Sequence, residues 1–360
     1  MDLEAQMLAP LAEALARESS GEVAGALLAE ARRRRASHLH FERDAAGMRV
    51  RLRIAGQLSP PRAMAADATL SEQLRALAGA RLLPLPGGER IVVPLEGGEH
   101  RDGALEGLGM CAGLATSLLP ALRRAGLVLV AGTAGSGRTA TLTALMRQGG
   151  EGGRHVVAIG MPPVGTTTAV SAARGQAAAI AVALGQDPDL IAIDMLQDRE
   201  AAEAAIGAVE GGQLVLATID ARDAVGAIRR MREWRIEPFR LASALSAVTA
   251  QRLVRRLCAC RRPEQATGSV SALLGFDSGA IVYVPAGCEA CEGTGHAGRT
   301  GVFEAIVADG AIRRLINDGG DESILARHAF LRAPNLGSAA RALVREGVTT
   351  PDEAVRISRG

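Results

Sequence analysis

An α/β fold, with a parallel sheet wrapped by helices behind a smaller α+β domain, is what this 360-residue sequence predicts. Three observations predict it. From Leu108 onward, apolar strand-length runs alternate with Ala-rich helical segments, the order that builds a parallel sheet with helical crossovers. One such run, Leu127 to Ala131, leads into Gly132-Thr133-Ala134-Gly135-Ser136-Gly137-Arg138-Thr139 and then into the helical segment Ala140 to Met146. Strand, glycine loop and helix in that order make a phosphate-binding P-loop, here with arginine at the lysine position. Before about residue 105 the pattern shifts to the two-residue alternation of half-buried strands.

Residues 1–18 read as a short amphipathic helix, and Glu22 to about Arg35 as a second whose basic end, Arg32 to Arg35, suits the helix dipole. Ser37 to Glu42 and Met48 to Ile54 alternate apolar and polar residues as strands do, until Gly56, Pro60 and Pro61 interrupt. Arg90 to Pro94 is a further strand, bracketed by Gly87-Gly88 and Gly97-Gly98. The expected organisation is an N-terminal helix at 1–20, a small α+β domain at 21–105 and a P-loop domain at 106–360. Within the last, strands are expected at Leu127–Ala131, Val156–Ile159, Leu190–Ile193 and Gln213–Thr218. A cysteine-bearing excursion at 255–300 and a helical tail at 301–360 complete it.

Composition removes several function classes. A net charge of +2 gives no global field for nucleic acid or an acidic membrane, and 2% aromatics leave little for base stacking. No secretory signal and no bilayer-length apolar run is visible. All 41 basic residues are arginine, so the arginine at 138 is by itself weak evidence of a lost function.

The loop glycines let backbone N–H groups point inward at an anion, and the following helix N-terminus adds partial positive charge. Gly132, Gly135, Ser136, Gly137, Arg138 and Thr139 are therefore the candidate phosphate contacts. Cys258, Cys260, Cys288 and Cys291 are either free structural thiols or a four-thiolate zinc site. The first pair is C-x-C, tighter than the usual C-x2-C, which leaves one ligand open to displacement and His296 as a spare. Cys111 reads as a buried apolar filler and Trp234 as packing.

The order of motifs resembles the ATPase family of type II secretion, type IV pilus assembly and DNA uptake, from about residue 20 to the C-terminus. Ala36-Ser37-His38-Leu39-His40-Phe41-Glu42 is similar to the family's A-S-D-[IL]-H-[IL]-E segment, and Arg51 to Gly56 to its R-x-R-I-D-G strand. Gln186-Asp187-Pro188-Asp189-Leu190-Ile191 leads into the Walker B region. Gln251 to Cys258, the second cysteine pair, and Gly298-Arg299-Thr300-Gly301-Val302-Phe303-Glu304 complete the series. The cysteine segment is typical of the assembly and export branch.

Departures from the family pattern concern charged groups. The acidic segment E-D-P-[IV]-E reads Gly160-Met161-Pro162-Pro163-Val164, so the glutamate that would position water is a glycine. Walker B, normally G-E-[IM]-R-D, reads Asp194-Met195-Leu196-Gln197-Asp198. The histidine segment keeps neither histidine: Gln213 and Asp220 stand in their places. Arginine drift accounts for Arg138 but not for these. Asp194, Asp198 and Asp220 are the candidate substitute acids.

The resemblance implies a RecA-like P-loop domain, ATP with Mg2+ at the domain junction, and arginines of the small domain (Arg51, Arg53 and Arg90) reaching the phosphates. Solvated strand-face arginines and chemically idle His38 and His40 are the competing readings. It also implies zinc at the cysteines, a homo-hexamer or a hetero-hexamer with a paralogous ATPase, and a cytoplasmic place against inner-membrane platform proteins, without direct nucleic-acid contact. Many secretion members carry a long recruitment domain ahead of the segment matched at residue 20, which puts recruitment by that route in question here. Three functions stay open: a nucleotide-binding subunit with impaired hydrolysis, a divergent working motor, and an interaction scaffold without nucleotide.

Overall fold

The computed structural model describes residues 20–34, 36–44, 47–54, 57–64, 68–75, 81–85, 88–94, 104–161, 167–173 and 175–358. The expected helix over 1–18, Gly56, Gly97-Gly98 and Pro162-Pro163-Val164 lie outside them. The chain divides into two compact units, residues 1–99 and 100–360.

In the first unit, α1 (Ser20–Arg33) buries Ala24, Leu27 and Ala31, the three- and four-residue spacing of one helix face. Then come β1 (Ala36–Asp44), β2 (Gly47–Ile54), β3 (Gln57–Leu58), β4 (Arg62–Met64), α2 (Ala68–Arg75), β5 (Arg81–Leu85) and β6 (Gly88–Pro94). The strands form an antiparallel sheet in the order β3-β2-β1-β6-β5, with β4 beside β2. Leu39 and Phe41 of β1 join Val50, Ile91, Val93 and both helices in one core. Alternation then turns His38, His40 and Glu42 to the other face.

The second unit opens with α3 (Ala112–Leu122), β7 (Gly126–Gly132), α4 (Arg138–Gly149), β8 (Val156–Ile159), β9 (Thr168–Val170) and α5 (Gln176–Leu184). It continues through β10 (Leu190–Leu196), α6 (Arg199–Glu210), β11 (Leu214–Asp220), α7 (Ala224–Glu233), α8 (Pro238–Ala244) and β12 (Leu245–Leu257). The cysteine region holds β13 (Arg262–Gln265), α9 (Gly268–Leu274) and β14 (Ile281–Val284), before β15 (His296–Val307) returns to the sheet. Helices α10 (Gly310–Asn317), α11 (Glu322–Ala329), α12 (Leu336–Arg345) and α13 (Pro351–Ser358) form the tail.

The sheet order is β15-β12-β7-β11-β10-β8-β9, parallel throughout except for the β12–β15 pair. Every residue of β7 is buried. Leu127, Leu129 and Ala131 enter the core shared with α5 to α8, while Val128 and Val130 enter the core shared with α3 and α4. Burying each such side chain contributes about 1.5–3 kcal/mol, so the central strand is fixed from both faces. That fixes where its loop emerges.

One expectation changes. Cys111 is exposed, because it sits at the N-cap of α3 rather than on the helix's buried face. β12 stays paired with β15 through Leu257 despite the polar Arg255 and Arg256. Trp234 packs against the core, with the Arg230 guanidinium 5.5 Å from its ring centre.

Candidate functional site

The P-loop joins β7 directly to α4. Gly137 caps the helix at φ 89°, a left-handed conformation that favours glycine. Gly132 is needed for a different reason: a Cβ there would meet Ser136 Oγ at 2.2 Å. The loop is pinned from β12, where the buried Gln251 donates to the Ser136 carbonyl at 2.8 Å. The helix begins at Arg138, two residues earlier than the apolar pattern suggested, because the loop's last glycine hands straight over to it.

Arg138 is turned toward the strand ends. Its Nη1 donates to the carbonyls of Gly132 and of Ile219, the latter at 3.0 Å, and lies 3.6 Å from Asp220 Oδ1. Burial lowers its pKa, and the Asp220 and Asp194 carboxylates oppose that.

Asp194 meets the P-loop from β10, the strand beyond β11. Thr139 Oγ1 donates to its Oδ2 at 3.4 Å and Thr218 Oγ1 to its Oδ1 at 3.0 Å. Thr218, fully buried, also accepts the Met195 amide at 2.6 Å. The register of β10 against β11 slips between Ile193 and Leu196, and Met195 sits at φ 71°. A bulge of this kind re-aims side chains, and a non-glycine residue in that region costs on the order of 1 kcal/mol or more. Gln176 braces it: its Nε2 donates to the Met195 carbonyl and its Oε1 accepts the Gln197 amide at 3.2 Å.

The other candidate acids are placed differently. Asp198 caps α6, accepting the Ala201 amide at 2.9 Å. Asp220 ends β11 with its side chain 63% exposed. Gly160, standing where the resemblance puts an acid, follows β8 at φ 75°.

In the small unit, the Glu42 carboxylate gathers Arg90 at 2.6 Å and Arg51 at 4.0 Å, while Arg51 Nε also donates to the Ser59 carbonyl. His40 is buried, and neither ring nitrogen has a hydrogen-bond partner among the described residues. Burial first, then the charges of Arg53, His38 and Arg90, pushes its pKa down to about 4, so it is neutral near pH 7.

The four cysteines come together. Their Sγ atoms lie within 4.8 Å of one another, and Cys258–Cys288, Cys260–Cys291 and Cys288–Cys291 approach to 3.8, 3.8 and 3.7 Å. Both members of the C-x-C pair take part, and His296 is outside the cluster, with its Nδ1 2.9 Å from the Thr294 carbonyl. Burial raises the Cys291 pKa, but amides of Cys288 and Gly295 outweigh it and hold the thiol down at about 6. Four sulfur donors gathered at these distances fit the tetrahedral preference of zinc.

Sequence reasoning missed the supporting polar groups Thr218, Gln176 and Gln251. It also gave no role to Glu304, whose buried carboxylate accepts the amides of Ala224 and Leu336, each at 2.8 Å. A polar residue inside an otherwise apolar strand, as at 218, 251 and 304, is the signal that marks such groups. Among the described residues, no helix is long and apolar enough to cross a membrane.

Known proteins agree with this arrangement. A model of the Type II/IV secretion system protein family matches residues 79–356. Type II secretion system protein E of Pseudomonas aeruginosa is 34% identical over 379 aligned positions, covering 93% of this chain and 74% of that protein. The type II secretion system ATPase E of Vibrio cholerae is 32% identical, covering 77% of this chain and 57% of its own. Among solved structures, the pilus retraction motor PilT with bound ADP matches at TM-score 0.62 and 18% identity, over 93% of this chain and 96% of that one. The Legionella pneumophila ATPase DotB matches at TM-score 0.64 and 14% identity, over 93% and 95%. These two show the shared fold; the sequence matches show the lineage. The chain belongs to the Type II/IV secretion system protein family and is a homologue of its secretion ATPases.

Proposed function

We propose that this chain is a nucleotide-binding subunit of a type II secretion or type IV pilus-like machine whose ATP hydrolysis is impaired. One observation carries the reading: Thr139 and Asp194 face each other at 3.4 Å beside a complete glycine cradle, while Gly160 and Met195 stand where the family's acids belong. The loop amides and Arg138 are the groups to hold phosphates, and Thr139 with Asp194 the groups to hold Mg2+. When bound, Mg2+ supplies charge neutralisation at the phosphates. PilT, solved with ADP, supports a nucleotide in this fold. Losing one charged transition-state contact in comparable sites costs about 2.7–4 kcal/mol, so two missing acids leave little turnover.

The thiol cluster holds zinc as a structural site in this reading. The family supports a hexameric ring, in which a paralogous ATPase supplies the groups this chain lacks, working at the cytoplasmic side of the inner membrane with platform proteins. A working motor is the second reading, favoured by the place of Asp194 beside Thr139.

ATP affinity and phosphate release, measured with Mg2+ on one zinc-replete sample, decide between them. The expected result is Mg2+-dependent binding with phosphate release at background. Turnover that disappears in Thr139→Ala makes the chain a motor. An absence of ATP binding leaves an interaction scaffold.

A further inference from the structure

The departures from the family pattern at 138 and 220 look independent along the chain, lying in different motifs. The fold makes them neighbours. Asp220 is the register partner of Gly132, the first glycine of the P-loop, across the parallel β7–β11 pair. Its carboxylate therefore stands beside the strand end where the loop departs. Arg138, one turn of chain later, is long enough to return to that same strand end. Its Nη1 reaches the Gly132 and Ile219 carbonyls and the Asp220 carboxylate together.

Resting on the nucleotide reading above, we propose that Asp220 is a counter-ion that latches Arg138 onto the strand ends and so sets how readily the P-loop accepts a nucleotide.

The chemistry of the two side chains supports the pairing. A guanidinium presents several donors in a planar fork and reaches two carbonyls and a carboxylate at once, which the single ammonium of a lysine does less well. The family's histidine, neutral near pH 7, offers a guanidinium no counter-charge; an aspartate does. The Arg138 side chain is 10% exposed and that of Asp220 63%. The cation is therefore held in a partly desolvated place and its anion sits at the water-facing side, where an arriving phosphate would compete for it. A phosphate must take the guanidinium from Asp220, or bind through the loop amides alone. The two substitutions then act as one device, in which the lysine-to-arginine change is matched by a carboxylate that restrains it.

The test is Asp220→Asn, which removes the charge and keeps the shape. Because the carboxylate is exposed, the gain is modest: Mg-ATP should bind about three- to five-fold more tightly than to the wild type. In the ligand-free protein, amide hydrogen exchange across residues 133–138 should rise as the latch opens. Wild-type ATP binding with unchanged or weaker binding by the variant overturns the latch and leaves the nucleotide reading standing. Tighter binding with unchanged amide exchange assigns Asp220 to direct repulsion of phosphate and also overturns the latch. Binding by neither protein overturns the latch together with the reading beneath it.

Discussion

The P-loop and the thiol cluster both lean on β12, the first through Gln251 and the second at the strand's end, yet they have fared differently. β12 supplies Gln251 to the loop and ends beside Cys258; β15 starts at His296 beside the other cysteine pair and reaches Glu304 in the core. At the thiol end all four donors are present and gathered within 4.8 Å. At the loop end the backbone cradle is complete, while uncharged Met195 and Gly160 stand where the family pattern has acids, and the charges present are Asp194 and the Arg138–Asp220 pair. The contrast teaches that a scaffold and the reactive groups it carries answer to different physical demands. Glycine conformations and buried strands are needed for the chain to fold at all, whereas a single acid on a strand end is dispensable to stability.

The sharpest way to break this comparison is at the cysteines. Cys288→Ser, or removal of metal by a chelator, should abolish stoichiometric zinc and melt the region from 258 to 296, since structural zinc sites supply about 10 kcal/mol or more of folding free energy. Metal analysis with hydrogen exchange checks it; a folded, zinc-free variant would equate the two regions. Next in size is Glu304→Ala. Two buried helix amides, at Ala224 and Leu336, would lose their acceptor, at roughly 1–3 kcal/mol each, so the denaturant midpoint should fall well below that of Glu304→Gln. Equal midpoints would show that the carboxylate is not the clamp it is drawn to be. The smallest effect is Gln251→Ala, which orphans the Ser136 carbonyl and should cost about 1 kcal/mol. Exchange should rise in the loop with zinc content unchanged, and a loss of zinc would instead show that β12 couples the two ends.

pH offers a finer contrast in the small unit. His40 carries a pKa of about 4 when folded, below its ordinary value of 6.5, so the unfolded chain binds the extra proton between those values. Its contribution to stability is present above about pH 6.5 and declines as pH falls toward 4. A His40→Leu variant should lose that acid-side slope while the neighbouring Glu42–Arg90 pair is retained.

Much of this architecture was legible along the chain. The strand before the loop, the strands at 156, 190 and 214, and the cysteine spacing are local patterns, set by apolar periodicity and by glycine where the backbone turns. The short strands β3 and β4 were not, because two or three residues carry no readable period. Nor was the exposure of Cys111, since a helix N-cap and a helix core position look alike without the helix boundary.

By itself the sequence determined the two-part α/β organisation, the P-loop, the four-cysteine set and the lineage, because each rests on residues close together or on motifs in order. Only the tertiary structure decided which side chains meet. Thr139 reaches Asp194 across 55 residues, Arg138 reaches Ile219 across 81, and Glu304 reaches the Ala224 amide across 80. Those meetings follow from strand order and register, which bury apolar residues on both faces of a shared sheet and bring the strand ends together as a consequence.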